Sequence, residues 1–350
     1  MTEKDYSGAT TSKIGKNAKA GNELSKLVSA IKGEKKHSEA KKQEDENSSV
    51  LSKEDIQNYK KAGEIAKKVK DYAKSIVKKD EKLIDIAEKI EAEILKLGGQ
   101  IGFPVNLSID DVAAHYTPTL RDEKKAEGLL KIDIGVHVNG CICDIAFSMD
   151  LTAEKKYTKL IEASEAALKS ALEVIKQSKA NTTLSQIGKA IQNSIESKDF
   201  SPIVNLSGHG LDEFDIHSGL TIPNYDTKSD KQLGDGAFAV EPFATIKSGS
   251  GMIYESSGSN IYHILKFSQP REPFAREVLE YIAENKKTLP FSQRELEKKF
   301  GSKALIAISQ LKRAGIINEF AQLVEKSHSP VSQTETSLIV HDGKVEILVD

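Results

Sequence analysis

The chain has 350 residues, and 50 Lys and Arg nearly balance 52 Asp and Glu for a net charge of -2. That balance excludes a dominant nucleic-acid footprint, and arginine, the usual reader of base edges and phosphates, is absent before Arg121. No apolar run long enough to span a bilayer occurs, the N-terminus MTEKDYSG has no signal-type apolar stretch, and Cys141 and Cys143 sit too close on one strand to bridge, so a reducing, cytoplasmic setting without membrane contact is expected.

Residues 1–50 are rich in Lys, Glu, Ser, Asn and Gly, with one apolar patch, LSKLVSAI. Mixed charge without a sustained apolar period predicts a disordered tail, either merely solubilising or making transient contact with the ribosome. Order is expected from Leu51. Ser52 with Asp55 three residues later reads as a capping box, and Ile56, Tyr59, Ala62, Ile65, Ala66, Val69 and Ala73 recur at helical spacing. A second helix is predicted from about Lys82 to Lys96, ended by Gly98-Gly99, with IGFPVNLSID following as an extended segment.

Further helices are predicted over roughly Glu154–Ser178 and Thr183–Ser197. The stretch GAFAVEPFAT reads as strand. GSGMIYESSGSN, residues 249–260, is glycine-rich but lacks a phosphate-loop Lys-Ser pair, so it reads as a flexible loop. Residues 268–326 read as three helices, an inserted subdomain, before SQTETSLIVH and GKVEILVD return as strands across the turn HDG. The fold class is α+β, an antiparallel sheet covered by helices.

The hairpin KIDIGVHVNGCICDIAF carries the strongest chemical signal. Asn139-Gly140 is a two-residue turn signature, which places Val138 opposite Cys141, Gly135 opposite Asp144 and Asp133 opposite Ala146. Asp133 and Asp144 then share one face as diagonal neighbours, with small residues beside them. Ile132, Ile134, Cys143 and Ile145 take the other, packed face. Two carboxylates held this close repel unless a cation compensates, and a divalent metal prefers such oxygen ligands. His137 shares the face but lies nearer the turn and is assigned to the rim. His209 in NLSGHG, Glu241 in FAVEPFAT and Glu335 in SQTETSLIV are the candidates for the remaining ligands.

AAHYTP, KIDIGVHVNG, CDIAF, SGHG, IHSG, AVEPFAT and TET, in this order and over about Ile56–Asp350, resemble the type 2 methionine aminopeptidases, the archaeal and eukaryotic class of peptidase family M24. The resemblance implies the pita-bread (creatinase/aminopeptidase) fold, with a catalytic domain formed by residues 51–267 and 327–350 and a winged-helix-like helical insertion at residues 268–326. It implies two divalent ions (Co, Mn, Fe or Zn): Asp133 on one, Asp144 and Glu335 bridging both, His209 and Glu241 on the second. It also implies His115, His217 and Glu241 as catalytic residues and Phe103, His115, Ile216 and His217 as substrate-binding residues. Tyr116 is assigned to loop support. The implied activity removes the N-terminal methionine from nascent chains, with a small second residue preferred, by a cytoplasmic monomer. Two alternatives share the fold: a catalytically inactive relative that binds RNA or protein, and a proline-specific aminopeptidase.

Overall fold

The computed structural model describes residues 51–350, so the expectations for the tail lie outside the described residues. Contacts divide the chain into two compact units. Of the described residues, one contains 51–263, 288–295 and 319–350; the other contains 264–287 and 296–318.

The larger unit opens with α1 (Lys53–Ile76), and the expected capping box is present. Ser52 Oγ accepts the Asp55 N–H, while the Asp55 carboxylate accepts the Ser52 N–H. Helix α2 (Leu83–Lys96) follows, and its C-terminal Gly98 adopts φ +84°. These two helices cover one face of an antiparallel sheet of β1 (Gln100–Ile109), β3 (Leu129–Val138) and β4 (Cys141–Asp150), ordered β1-β3-β4. The covered face carries Ile132, Ile134, Val136, Cys143 and Ile145, all fully buried against Ala62, Val69, Ile86 and Ile90. Hairpin register is as the turn dictates: Gly135 pairs with Asp144, and Asp133 with Ala146. The two aspartates therefore face away from the helices.

Helices α3 (Thr158–Ser178) and α4 (Leu184–Glu196) cover a second sheet. It contains β6 (Ser207–Asp212), β7 (Asp215–Pro223), β8 (Gly236–Val240), β14 (Thr336–His341) and β15 (Lys344–Ile347), ordered β15-β14-β8-β6-β7. Helix α3 starts four residues later than Glu154 because Asp150 organises the preceding turn, accepting the Thr152 and Tyr157 N–H groups at 2.9 and 2.6 Å. Helix α4 has its own capping box, Thr183 with Gln186. A third sheet, ordered β13-β9-β5, joins β5 (Phe200–Pro202), β9 (Phe243–Ile246) and β13 (Val331–Gln333). This is the pita-bread arrangement, antiparallel sheets each backed by a helix pair.

Two sequence expectations need correction. Residues 253–260 are not a loop: β10 spans Ile253–Ile264 in a fourth sheet with β2 (Val112–Ala114), β11 (Phe291–Ser292) and β12 (Ile317–Glu325). Its first half is polar and exposed on both faces, so no alternating apolar signal marks it. The all-helical reading of residues 268–326 also misses β11 and β12. The smaller unit contains α5 (Pro273–Lys286), most of α6 (Gln293–Phe300) and α7 (Ala304–Arg313). Within it the Phe300 ring meets Phe274 and Tyr281 edge-on, with centroids 5.9 and 5.4 Å apart.

Gly188 shows how tightly α4 is packed. A Cβ there would lie 2.0 Å from the Tyr225 carbonyl oxygen, a backbone atom that cannot swing aside. Helix propensity alone favours Gly→Ala by about 1 kcal/mol. Overpacking reverses the sign, so Gly188→Ala is expected to lower stability by about 1–3 kcal/mol. Denaturant unfolding checks this; a variant as stable as the parent contradicts it.

Candidate metal centre and its cavity

The face of the hairpin turned away from α1 and α2 opens into a cavity of about 310 Å³. Asp133 and Asp144 reach it from β3 and β4, and His209 from β6. The two glutamates arrive by a different route. Chain segments β8–β9 and β13–β14 run antiparallel, and both leave the second sheet for the third between the rungs Val240↔Thr336 and Phe243↔Gln333. Glu241 and Glu335 sit at that crossing, where Pro242 interrupts the first segment. An isolated bridge between Glu335 and Ala146 ties this crossing to β4, with the Glu335 N–H donating to the Ala146 carbonyl at 2.9 Å. Ser337 adds a second tie: its Oγ accepts the Asp144 N–H at 2.7 Å and donates to the Asp144 carbonyl at 2.9 Å. The aspartate's backbone is thereby held at both ends.

Donor atoms of Asp144, His209 and Glu335 all lie within 4.8 Å of one another. His209 Nε2 is 3.8 Å from Asp144 Oδ2 and 3.6 Å from Glu241 Oε1. His209 Nδ1 lies 3.3 Å from the Gly210 carbonyl, which can only accept, so Nδ1 carries the proton and the Nε2 lone pair faces the carboxylates. Gln333 Nε2 donates to Glu241 Oε2 and Glu335 Oε2, each at 3.4 Å.

The electrostatics are those of a cluster short of a cation. Burial pushes the Asp133 carboxyl up to about 7. Burial, and then repulsion from the other carboxylates, holds Asp144, Glu241 and Glu335 well above the usual carboxylate range. Burial, and then the nearby His217, lowers His209 to about 3, so it supplies no positive charge. Asp133 Oδ1, Asp144 Oδ1 and Glu335 Oε1 are buried without any hydrogen-bond partner. Hard oxygen donors, one neutral imidazole and orphaned carboxylate atoms together fit divalent ions of the Mn, Fe, Co or Zn type.

Around the cluster stand the other residues expected from sequence. Phe103, His115, Ile216 and His217 all line the cavity. His115 has φ +62°, and its Nδ1 lies 3.3 Å from the Ala321 carbonyl. Burial, and then His217, lowers His115 to about 4, so it is neutral at physiological pH. The His217 ring meets His209 edge-on at 4.6 Å. Tyr116 donates to Asp122, as its loop-supporting assignment requires. His137 is buried near the turn rather than at the rim; its Nδ1 accepts the Gly140 N–H at 3.1 Å, and its ring meets Phe214 at 5.5 Å. Sequence reasoning missed Gln333, Asn106 and Phe320. The Phe320 ring reaches His115, His217 and His263 at 5.4, 6.4 and 4.6 Å.

The model for metallopeptidase family M24 matches residues 57–265. The methionine aminopeptidase of Methanocaldococcus jannaschii is 38% identical over 299 residues, covering 84% of this chain and 99% of that protein. That of Archaeoglobus fulgidus is 39% identical, covering 82% and 95%. Methionine aminopeptidase 2 of Candida albicans is 34% identical, covering 83% and 69%. Among solved structures, a thermophilic Arx1 superposes with TM-score 0.73 at 16% identity, covering 85% of this chain and 91% of its own. The methionine aminopeptidase of Rickettsia prowazekii superposes with TM-score 0.59 at 18% identity, covering 85% and 98%. These last two establish likeness of fold. The chain belongs to metallopeptidase family M24 and, within it, to the type 2 methionine aminopeptidases.

The titrations predict how stability of the metal-free protein depends on pH. The folded chain keeps the proton that Asp133 holds to about 7, and Asp144, Glu241 and Glu335 are raised in the same direction, whereas the unfolded chain has lost these protons at ordinary carboxylate pH. This stability is present at low pH and is lost as pH rises through about 7. His115 and His209, lowered to about 4 and 3, act in the opposite sense below roughly pH 6.5, but the four carboxylates outnumber them. Thermal melts of chelator-treated protein should therefore show Tm falling from pH 6.5 to pH 8, and Mn²⁺ should raise Tm more at pH 8 than at pH 6. A Tm that rises over this interval, or no metal-induced shift, contradicts it.

Proposed function

We propose that the chain hydrolyses the N-terminal methionine from nascent proteins and peptides, with two divalent ions, as a cytoplasmic monomer. The observation that carries this reading is the convergence of Asp144, His209 and Glu335 within 4.8 Å at a cavity of buried carboxylates. In this reading Asp133 would hold one ion, His209 and Glu241 would hold the other, and Asp144 and Glu335 would serve both. Bound divalent ions polarise the scissile carbonyl and lower the pKa of water toward neutrality.

The chain's own residues supply the rest. Glu241 accepts the proton of the attacking water and delivers it to the leaving amine. Its Oε2 is steadied by Gln333, so the carboxylate is held for this transfer. His217, neutral because burial lowers its pKa, donates to the oxygen that gains charge on the scissile carbonyl. His115 offers the opposite polarity. With Nδ1–H directed at Ala321, its Nε2 can only accept, which suits the peptide N–H beyond the cleaved bond. Phe103 and Ile216 form the slot for the methionine side chain, where an aromatic edge favours sulfur. His115 and His217 crowd the second residue, which favours a small one.

A catalytically inactive relative would have lost ligands, whereas all five positions hold theirs. Residues 268–326 are proposed as the family's helical insertion, and residues 1–50 as the segment that meets the ribosome. Among the described residues no helix is long and apolar enough to cross a membrane.

With Mn²⁺ or Co²⁺ the purified protein should release methionine from Met-Ala or Met-Gly peptides faster than from Met-Leu. His209→Ala should lose at least about 100-fold in kcat/KM while keeping a cooperative melt, because it removes a ligand without touching the core. Turnover by the variant at the parental rate would sink the assignment. Deleting residues 1–50 should leave short-peptide turnover unchanged and abolish co-sedimentation with ribosomes.

A further inference from the structure

Asn106 is a cavity-lining polar side chain that the mechanism above leaves unused. Its position follows from the register of β1 against β3. Phe103 pairs with Gly135 and Asn106 with Asp133, so three steps along β1 match two along β3. The extra residue is a bulge at Pro104-Val105. Without it, Phe103 and Asn106 would project from opposite faces of the sheet. With it, both face the side that holds Asp133 and Asp144.

The Asn106 side chain is 3% exposed, and its Nδ2 donates to the Pro104 carbonyl at 2.9 Å. That bond fixes the amide, because the flipped orientation would set two carbonyl oxygens against each other. Oδ1 has no hydrogen-bond partner. Its cross-strand neighbour Asp133 likewise has an orphaned Oδ1. Asp133 is assigned to a metal ion, but an amide oxygen buried beside it without a donor points to a ligand that brings an N–H group.

For an exopeptidase acting on methionine, the choice of donor is narrow. The thioether is a weak acceptor, and the scissile carbonyl only accepts. The scissile amide N–H lies beyond the cleaved carbonyl. The α-amine is the one donor on the first residue, and it carries several N–H bonds on one atom. We propose that Asn106 is a substrate-binding residue whose Oδ1 accepts an N–H from the free α-amine, so that it recognises an unmodified chain terminus. An amide performs this task without adding a fifth negative charge beside Asp133, Asp144, Glu241 and Glu335. The proposal rests on the aminopeptidase reading.

The test measures binding of L-methionine and of N,N-dimethyl-L-methionine to the Mn²⁺-loaded protein by calorimetry, with the Mn²⁺ affinity measured separately. In the parent protein the dimethylated ligand, which has fewer N–H groups, should bind more weakly. Asn106→Leu should weaken L-methionine binding about tenfold and shrink the difference between the two ligands, with Mn²⁺ affinity unchanged. Asn106→Asp keeps an acceptor while losing the donor to Pro104, and should retain the discrimination; it also serves if the leucine variant does not fold. Three results overturn the proposal: parental L-methionine affinity in Asn106→Leu, loss of discrimination in Asn106→Asp, or Mn²⁺ affinity falling in parallel. A parent protein that binds Mn²⁺ but neither binds methionine nor turns over Met-Ala overturns the aminopeptidase reading itself.

Discussion

Four carboxylates are buried together with no lysine or arginine ion pair reaching them among the described residues, and the molecule is arranged around that constraint. Burial alone raises each pKa, and mutual repulsion raises three of them further. His209 offers no relief, because it too is buried and neutral. An apolar core would not tolerate such a cluster without a counter-charge. The fold holds it open by attaching each carboxylate to a rigid element: Asp133 and Asp144 to paired strands, Glu241 and Glu335 to the crossing where two segments change sheets. Removal of one ligand is consequently expected to change charge balance far more than packing.

Unlike groups surround the cluster. Asn106 offers a buried acceptor and Phe103 an aromatic ring. His115 and His217 offer two neutral imidazoles, the first set to accept through Nε2 by its bond to Ala321. Both are neutral because burial lowers their pKa, so neither adds positive charge that would repel a metal. Gln333 links the two glutamates at the crossing through its Nε2.

Much of this was legible from sequence because the signals were local. Both capping boxes sit at the predicted helix starts, and Asn139-Gly140 dictates the hairpin register that places Asp133 and Asp144 on one face. Glu241 and Glu335 were assigned as ligands through the resemblance, since nothing in FAVEPFAT or SQTETSLIV by itself separates a ligand from an edge glutamate. What stayed hidden depends on non-local geometry. The crossing between sheets has no sequence period, and the β1 bulge shifts Asn106 onto the site face against its apparent alternation. The polar first half of β10 lacks the pattern that marks a strand. Phe320 comes from β12, in a stretch whose helical surroundings masked it.

The most direct measurement is a calorimetric titration of chelator-stripped protein with Mn²⁺ at pH 7.5, repeated in buffers of different ionisation heat. The account predicts saturable binding of two ions with net proton release, because carboxyls that burial keeps partly protonated must ionise to ligate. It also predicts weakened binding in Glu335→Gln, which removes a shared ligand. No saturable binding, or binding unaltered by Glu335→Gln, would contradict the claim that the buried carboxylates exist to hold metal.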